Sequence, residues 1–237
     1  PHRTVLDNAG LSQKNGAVTS QVQIARTRES LHSVKIGPGE SDLVLACDMI
    51  VAASPSASAS LAAGKTRAVL NSHVTPPGAF QMFNDLDLGG PQLAANLRGL
   101  LGDNRTHIAD ADTAARVLLG NAMLANMISL GQASQAGWLP LSLDALSQAI
   151  ALNGVAVAAN KAAFTLGRLA AHDPARFEAL LAAHRPANQA PPATLDEIIA
   201  HRAEHLTRYQ NQAYAQHYRD LVAKARAAEA AIAPDKQ

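Results

Sequence analysis

The chain has almost no cysteine, and this scarcity excludes several kinds of site. Cys47 is the only cysteine in 237 residues, so the chain alone can form no internal disulfide. One thiolate also cannot supply the ligands of an iron–sulfur cluster or of a Cys-rich zinc site. We predict instead that Cys47 is a small residue of the core.

An excess of one charge and a long apolar run are also absent. The 20 Lys and Arg residues nearly balance the 19 Asp and Glu residues. The chain therefore lacks the excess of basic residues that is typical of nucleic-acid-binding proteins. No apolar run approaches the roughly 18 to 20 residues that span a bilayer, and no secretory leader opens the sequence. We therefore expect a cytoplasmic protein that binds neither nucleic acid nor a membrane.

What is present indicates an α/β fold. Apolar runs over the first ninety residues predict five strands, and the later sequence has alanine and leucine at helical spacing. The predicted strands are residues 4–7, 18–24, 33–36, 49–53 and 67–71, with a short helix over residues 43–47. No G-x-G-x-x-G turn is found. We predict an open Rossmann-like sheet that lacks its first strand-turn-helix, followed by a helical C-terminal part, as expected of a piece of something longer.

The composition divides the chain into three parts. Residues 1–185 are expected to form the main domain, residues 186–193 a proline-rich linker, and residues 194–237 a long helical tail. Thr194 and Glu197 have the spacing of a capping box, and no proline or glycine follows before Ile232. So polar a helix either packs on a neighbouring domain or subunit, or is a solvated and partly frayed tail.

A polar, glycine-containing loop separates the first two predicted strands. In open α/β sheets, ligands bind outside the carboxyl ends of strands, and this loop is a candidate for such a place. It offers a hydroxyl, two amides and a lysine: Ser12, Gln13, Asn15 and Lys14. The alternative is an ordinary solvated turn, since most Gly/Asn loops are only turns.

Five other polar positions are weaker candidates. His73 follows a predicted strand and could act as an acid or base near pH 7, or could simply be exposed. Asn121 and Asn126 could line a cleft or serve as structural amides. The pair His201 and His205 has metal-ligand spacing on a helix but no third-ligand signature, so we expect no metal there.

Several blocks of the sequence together resemble one known family. Residues 10–20 read G-L-S-Q-K-N-G-A-V-T-S, and the other blocks are residues 42–48, 66–73, 120–127 and 139–171. They resemble the 2-oxoacid:ferredoxin (acceptor) oxidoreductases, and within them the gamma-type domain of indolepyruvate ferredoxin oxidoreductase. The first block is similar to that family's G-L-A-Q-K-G-G-A-V-x-S loop, with Ser12 and Asn15 as departures.

The resemblance implies one domain or subunit of an enzyme that oxidatively decarboxylates a 2-oxoacid to an acyl-CoA, with ferredoxin as acceptor. Thiamine diphosphate, magnesium and iron–sulfur clusters would lie on partner domains, so this chain alone would bind no cofactor, supply no catalytic residue and be inactive in isolation. The partners implied are the other domains or subunits, ferredoxin and CoA, in a homo-oligomer. Which 2-oxoacid is used stays open.

The resemblance also assigns a role to the loop. It implies that Ser12, Gln13, Lys14, Asn15, Gly16 and Ser20 face the substrate or CoA. Lys14 is the strongest candidate, because a lysine beside backbone amides can hold a carboxylate or phosphate by charge-assisted hydrogen bonds. His73, Asn121 and Asn126 are the possible cleft wall. The alternative function is a non-catalytic assembly module whose Tyr-bearing tail docks partner domains.

Overall fold

The first two strands pair with each other as an antiparallel hairpin. The computed structural model describes residues 2–8, 18–74, 89–185 and 194–232. Strand β1 (His2–Asn8) runs opposite β2 (Thr19–Ala25), with Val5 facing Val22. The period-two alternation predicted for β2 is confirmed, because its residues alternate between half-buried and exposed positions.

A separate parallel sheet lies at the centre of the α/β part. Its strands β3 (Leu43–Ala46), β4 (Arg67–Asn71) and β5 (Thr106–Ala109) are arranged in that order. The central strand β4 is apolar and almost completely buried from Ala68 to Leu70, as expected for a parallel strand covered on both faces. The predicted α/β class and helical C-terminal part are confirmed.

Two neighbouring predictions in this region are wrong, and they are wrong in opposite senses. The helix predicted over residues 43–47 is strand β3, and the strand predicted over residues 49–53 is helix α1 (Met49–Ala52). Asp48 is the helix cap, since its side chain accepts hydrogen bonds from the Ile50 and Val51 N–H groups at 2.9 and 3.2 Å. Short apolar runs do not distinguish a strand from a helix by periodicity.

The strand predicted over residues 33–36 is also wrong, because that segment is held to β2 by side chains. The Ile36 N–H donates to Gln21 Oε1 at 2.7 Å, and Gln23 Nε2 donates to the Ser33 carbonyl at 2.8 Å. These bonds take the place of a backbone ladder, so the segment lies along the hairpin without joining it as a strand.

Helices surround the parallel sheet and form the rest of this unit, which spans Pro1–Arg185. In the described residues they are α1, α2 (Pro55–Ser58), α3 (Gly90–Leu101), α4 (Ala111–Leu119), α5 (Ala125–Gln135), α6 (Leu143–Asn153), α7 (Val157–His172) and α8 (Pro174–His184). The closest crossing is between α5 and α7. A Cβ atom on Gly131 would overlap the Phe164 carbonyl, and one on Gly167 would overlap the Ile128 carbonyl.

The described residues of the second unit, Pro186–Gln237, form a pair of helices. Helix α9 (Leu195–Tyr209) begins with the predicted capping box, in which Thr194 and Glu197 bond reciprocally. The single long helix predicted for this region is wrong, because the chain turns at Gln210 and Asn211 into α10 (Gln212–Ile232). Within the described parts of the chain, no helix is long and apolar enough to cross a membrane.

Candidate functional site

A buried asparagine ties together three segments at the carboxyl edge of the parallel sheet. Asn71 ends β4 and is only 6% exposed. Its Nδ2 donates to the Cys47 carbonyl just after β3, 3.2 Å away. Its Oδ1 accepts from the backbone N–H groups of His73 at 3.3 Å and Ala111 at 3.1 Å. The ends of β3 and β4 and the start of α4 are therefore fixed relative to one another.

A row of ionisable side chains extends outward from this asparagine. His73 Nε2 lies 3.6 Å from Asp112 Oδ2, and the same oxygen accepts from Arg116 Nε at 2.6 Å. Hydrogen bonding to the Asp112 carboxylate and its negative charge raise the pKa of Arg116. Asp112 is mostly buried and His73 is about one third exposed, so the imidazole lies between the carboxylate and solvent. This arrangement places an imidazole beside a carboxylate at the carboxyl edge of the sheet.

Two further carboxylates near this edge have structural roles. Asp48 caps α1, and Asp110 caps α4 by accepting from the Thr113 N–H at 2.9 Å. Both carboxylates accept from helix N-terminal N–H groups, which stabilises the first turn of each helix. One oxygen of each carboxylate is thus already engaged by the chain itself.

Cys47 lies at the same edge, and the prediction that it is a core residue is wrong. The residue is exposed at the surface and forms no disulfide. The protein atoms packed around its sulfur remove water from the thiol and raise the pKa of Cys47, and the charge of Asp48 raises it further. At neutral pH the thiol is therefore protonated and a weak nucleophile.

Most of the predicted loop lies outside the described residues. Ser12, Gln13, Lys14, Asn15 and Gly16 fall in this category. Ser20 is described: its Oγ donates to Asp7 Oδ1 at 2.6 Å across the β1–β2 hairpin.

The position expected for this loop needs one correction. Since β1 and β2 are antiparallel, residues 9–17 join the two strands of a hairpin and do not follow a strand of the parallel sheet. The rule that ligands bind at the carboxyl ends of parallel strands therefore does not apply to the loop. It applies instead to the edge that carries Asn71 and His73.

The three predicted cleft residues have different surroundings. Asn71, His73, Asp112 and Arg116 together form what we call the carboxyl-edge cluster. His73 lies in this cluster, next to Asp112. Asn121 is exposed and accepts from the Met123 N–H at 3.0 Å, which makes it the cap of a short 3-10 turn. Asn126 is exposed on α5, and no contact in the described residues brings either amide to His73.

The sequence predicted Asn71 only as the start of the polar loop that contains His73, and it assigned no site role to Asp112 or Arg116. The i, i+4 spacing of Asp112 and Arg116 on a predicted helix was a signal for their ion pair. The contact between His73 and Asp112 joins two distant segments and could not be inferred from spacing.

The residues present do not fit an iron–sulfur cluster, because the sequence contains one cysteine. Across the ranges that the structure describes, no three His, Cys, Asp or Glu side chains are grouped to hold a metal ion. His201 and His205 share a face of α9 and are exposed.

The helix-covered parallel sheet, with a polar cluster at its carboxyl edge, defines an α/β domain with an open parallel sheet. Comparison with family models makes this more specific. The model for pyruvate ferredoxin/flavodoxin oxidoreductase matches residues 2–170, and the chain belongs to that family. A second model, for a family of unknown function designated DUF6537, matches residues 195–237. A search of curated proteins found no significant match.

Proposed function

We propose that this chain supplies the gamma-type domain of a 2-oxoacid:ferredoxin oxidoreductase of the indolepyruvate type. The observation that carries the proposal is the family match over residues 2–170, which includes the whole β1–β2 hairpin and its connecting loop. The residue order G-L-S-Q-K-N-G-A-V-T-S in that loop favours the indolepyruvate type among the members of the family.

In the proposed reaction the 2-oxoacid loses its carboxylate as carbon dioxide and the remaining acyl group forms a thioester with the sulfur of CoA. The CoA thiol releases its proton, and two electrons leave the substrate and reduce two ferredoxin molecules, one electron each. Thiamine diphosphate with magnesium, and the iron–sulfur clusters, are proposed to be held by partner domains. This assignment agrees with the single cysteine of the chain.

The role proposed for this domain is to bind the substrate or CoA beside the reacting groups. Ser12, Gln13, Lys14, Asn15 and Gly16 are proposed to contact a carboxylate or phosphate, with the Lys14 ammonium as the main attraction. The hairpin supports such a loop from both sides, since Asp7 bonds to Ser20 and Asn8 to Thr19. Ser20 thus supports the loop from its base.

His73 is proposed to form part of the cleft wall, at the carboxyl edge of the parallel sheet. The Asp112 carboxylate lies close to its ring, and Asn71 fixes its backbone. Asn121 and Asn126 are kept as weaker candidates for the same wall.

The division into a main domain of residues 1–185, a linker of residues 186–193 and a tail of residues 194–237 belongs to the same proposal.

The proposal is tested by turnover of the full-length parent enzyme. We expect CoA-dependent reduction of ferredoxin with indolepyruvate or another arylpyruvate, and slower reduction with pyruvate. Omitting CoA is the control, and it should abolish thioester formation. Absence of ferredoxin reduction with every 2-oxoacid tested would reject the proposed activity.

A non-catalytic assembly module is the alternative function. It is favoured by one observation: residues 186–237 form a separate unit, matched by a different family model over residues 195–237. The test is a variant of the parent enzyme in which this chain ends at Pro192, so that the second unit is missing. The alternative predicts loss of assembly, whereas a purely catalytic role predicts an intact complex with altered kinetics.

A further inference from the structure

Two basic side chains of the carboxyl-edge cluster meet on one carboxylate. Arg116 Nε donates to Asp112 Oδ2 at 2.6 Å, and His73 Nε2 lies 3.6 Å from the same oxygen. His73 follows β4 in the chain, whereas Arg116 lies on α4. Because both groups approach a single oxygen atom, the imidazole and the guanidinium are close neighbours.

The basic groups of this cluster lie outside its carboxylate. The side chain of Asp112 is 15% exposed, whereas those of His73 and Arg116 are 36% and 62% exposed. Asp110 and Arg185 repeat the arrangement at the same end of α4, with 4.0 Å between carboxylate and guanidinium and the arginine again the more exposed partner. An anion that approaches from solvent therefore meets basic side chains before it meets a carboxylate.

The third acid of this edge lies apart from these groups. Asp48 follows β3, on the other side of β4 from β5 and α4, and its Oδ1 accepts from two N–H groups at the start of α1. Within residues 2–8, 18–74, 89–185 and 194–232, no acid other than Asp112 forms an ion pair with His73 or Arg116. One carboxylate thus faces two basic groups, and this excess of basic groups favours an anionic ligand.

Arg116 has one edge of its guanidinium free. Asp112 engages Nε, and the Nη groups donate no hydrogen bond to any other residue that the structure describes. Together, Nη1 and Nη2 present a planar pair of donors that matches two oxygens of a carboxylate or a phosphate. The bond at Nε holds the guanidinium in place, so less conformational freedom is lost when a ligand binds.

A buried amide holds the backbone that carries both basic residues. Asn71 Oδ1 accepts from the His73 N–H at 3.3 Å and from the Ala111 N–H at 3.1 Å, where α4 begins. The end of β4 and the helix that carries Arg116 are therefore fixed relative to each other. This edge is also the place where open α/β sheets bind ligands.

We propose that His73 and Arg116 form a binding site for an anionic group, phosphate or carboxylate, of one substrate of the enzyme. The Nη groups of Arg116 donate to two oxygens of the anion and the His73 ring contacts it, while Asp112 acts as a positioning residue. CoA carries phosphates and the 2-oxoacid carries a carboxylate, so both offer the same chemistry to the site. The inference rests on the proposed function for these two substrates, and it adds a second anion site to the one proposed for Lys14.

Equilibrium binding to the full-length parent enzyme tests the site without turnover. Isothermal titration calorimetry is performed with CoA and, separately, with phenyllactate, which keeps the carboxylate of an arylpyruvate but has no oxo group to react. Arg116→Gln should raise the Kd of one of these ligands about tenfold or more, and His73→Ala should raise the Kd of the same ligand. An effect on CoA assigns a phosphate to the site, and an effect on phenyllactate assigns a carboxylate.

Two further arginine variants supply the matched comparison. Arg116→Lys keeps the charge without the planar fork, so its Kd should lie between those of the parent and Arg116→Gln. Arg176 is an exposed arginine of α8 outside the cluster, and Arg176→Gln should leave both Kd values within about twofold of the parent. Added salt should weaken binding to the parent more than to Arg116→Gln, which a merely structural loss would not produce. Circular dichroism checks that the variants keep their helices.

The proposal is overturned by unchanged Kd values for both ligands in Arg116→Gln, by equal losses in Arg116→Gln and Arg176→Gln, or by a parent enzyme that binds neither ligand. Because binding is scored without ferredoxin, a loss specific to Arg116→Gln supports the site even in an enzyme that reduces no ferredoxin. Failure of this inference is therefore distinguishable from failure of the proposed activity.

Discussion

Asn71 Oδ1 accepts a hydrogen bond from the backbone N–H of Ala111, 3.1 Å away, and thereby joins the end of β4 to the start of α4. The two residues are 40 positions apart in the sequence. Since Nδ2 of the same amide donates to the Cys47 carbonyl, one side chain satisfies backbone groups of two other segments. The carboxyl edge of the sheet, and the backbone of His73 with it, is held by this amide.

Replacing this amide should destabilise the domain. In Asn71→Leu, the Ala111 N–H and the Cys47 carbonyl lose their partners in a buried setting, at a cost of about 2 kcal/mol. Urea unfolding of the full chain measures the change. Asn153→Ala, at an exposed helix end, is the control and should stay within about 0.5 kcal/mol of the parent. Equal losses in the two variants would show that the Asn71 bonds contribute nothing.

The crossing of α5 and α7 should not tolerate a methyl group. Gly131→Ala and Gly167→Ala each place a Cβ atom against a backbone carbonyl of the other helix, so the helices must move apart. We expect a loss of about 3 kcal/mol or more. Gly99→Ala is the matched control, because nothing lies near its Cβ position in α3, and it should stabilise the fold by up to about 1 kcal/mol. Thermal unfolding measures the change. If Gly99→Ala destabilised the protein as much as the other two substitutions, the close packing of α5 on α7 would be contradicted.

Local sequence signals predicted the boundaries of several helices but did not assign every element correctly. Ser142 directly precedes α6, and its Oγ accepts from the Ala145 N–H at 3.2 Å, the cap that a serine before an apolar run indicates. The capping box at Thr194 is confirmed as well. Such caps involve residues two or three positions apart, so the sequence displays them directly. The exchange of strand and helix around Asp48 arose because short apolar runs do not distinguish a strand from a helix, and because the cap that starts α1 is Asp48 itself.

The candidate site was predicted only in part, for a different reason. His73 was identified from its place after a predicted strand, but its neighbour Asp112 lies on a helix 39 positions later in the chain. Tertiary contacts of that kind depend on how helices pack on the sheet. The break in the predicted tail helix has a local cause that the search for proline and glycine overlooked: Asn211 Oδ1 accepts from the Tyr214 N–H at 2.9 Å and caps the start of α10.

Acid should weaken the fold through His107. Burial lowers the pKa of this histidine, whose ring lies 4.6 Å from that of Trp138, below its ordinary value of 6.5. The unfolded chain therefore binds the proton more readily, and the stability that depends on neutral His107 is lost as the pH falls from about 7 towards 5. In His107→Gln, the free energy of unfolding should depend less on pH over this range. Parallel pH profiles for the two proteins would refute the prediction.

Cys47 should react slowly despite its exposure. Because desolvation and the Asp48 charge raise the pKa of this thiol, little thiolate is present at pH 7. Alkylation by iodoacetamide should be slower than that of free cysteine at pH 7.5, and should still be accelerating at pH 9. The single cysteine makes the measurement unambiguous by mass spectrometry. Asp48→Asn should accelerate it modestly, and a rate equal to that of free cysteine in the parent protein would contradict the assignment.

The proposed role of the glycine-containing loop is tested most directly by the kinetics of Lys14→Ala in the full-length parent enzyme. Loss of a charge-assisted hydrogen bond should lower kcat/KM for either CoA or the 2-oxoacid about tenfold or more. Lys35→Ala, an exposed lysine outside the loop, is the matched control and should leave both values unchanged. A Lys14→Ala enzyme with unchanged kcat and KM for both CoA and the 2-oxoacid would contradict the account.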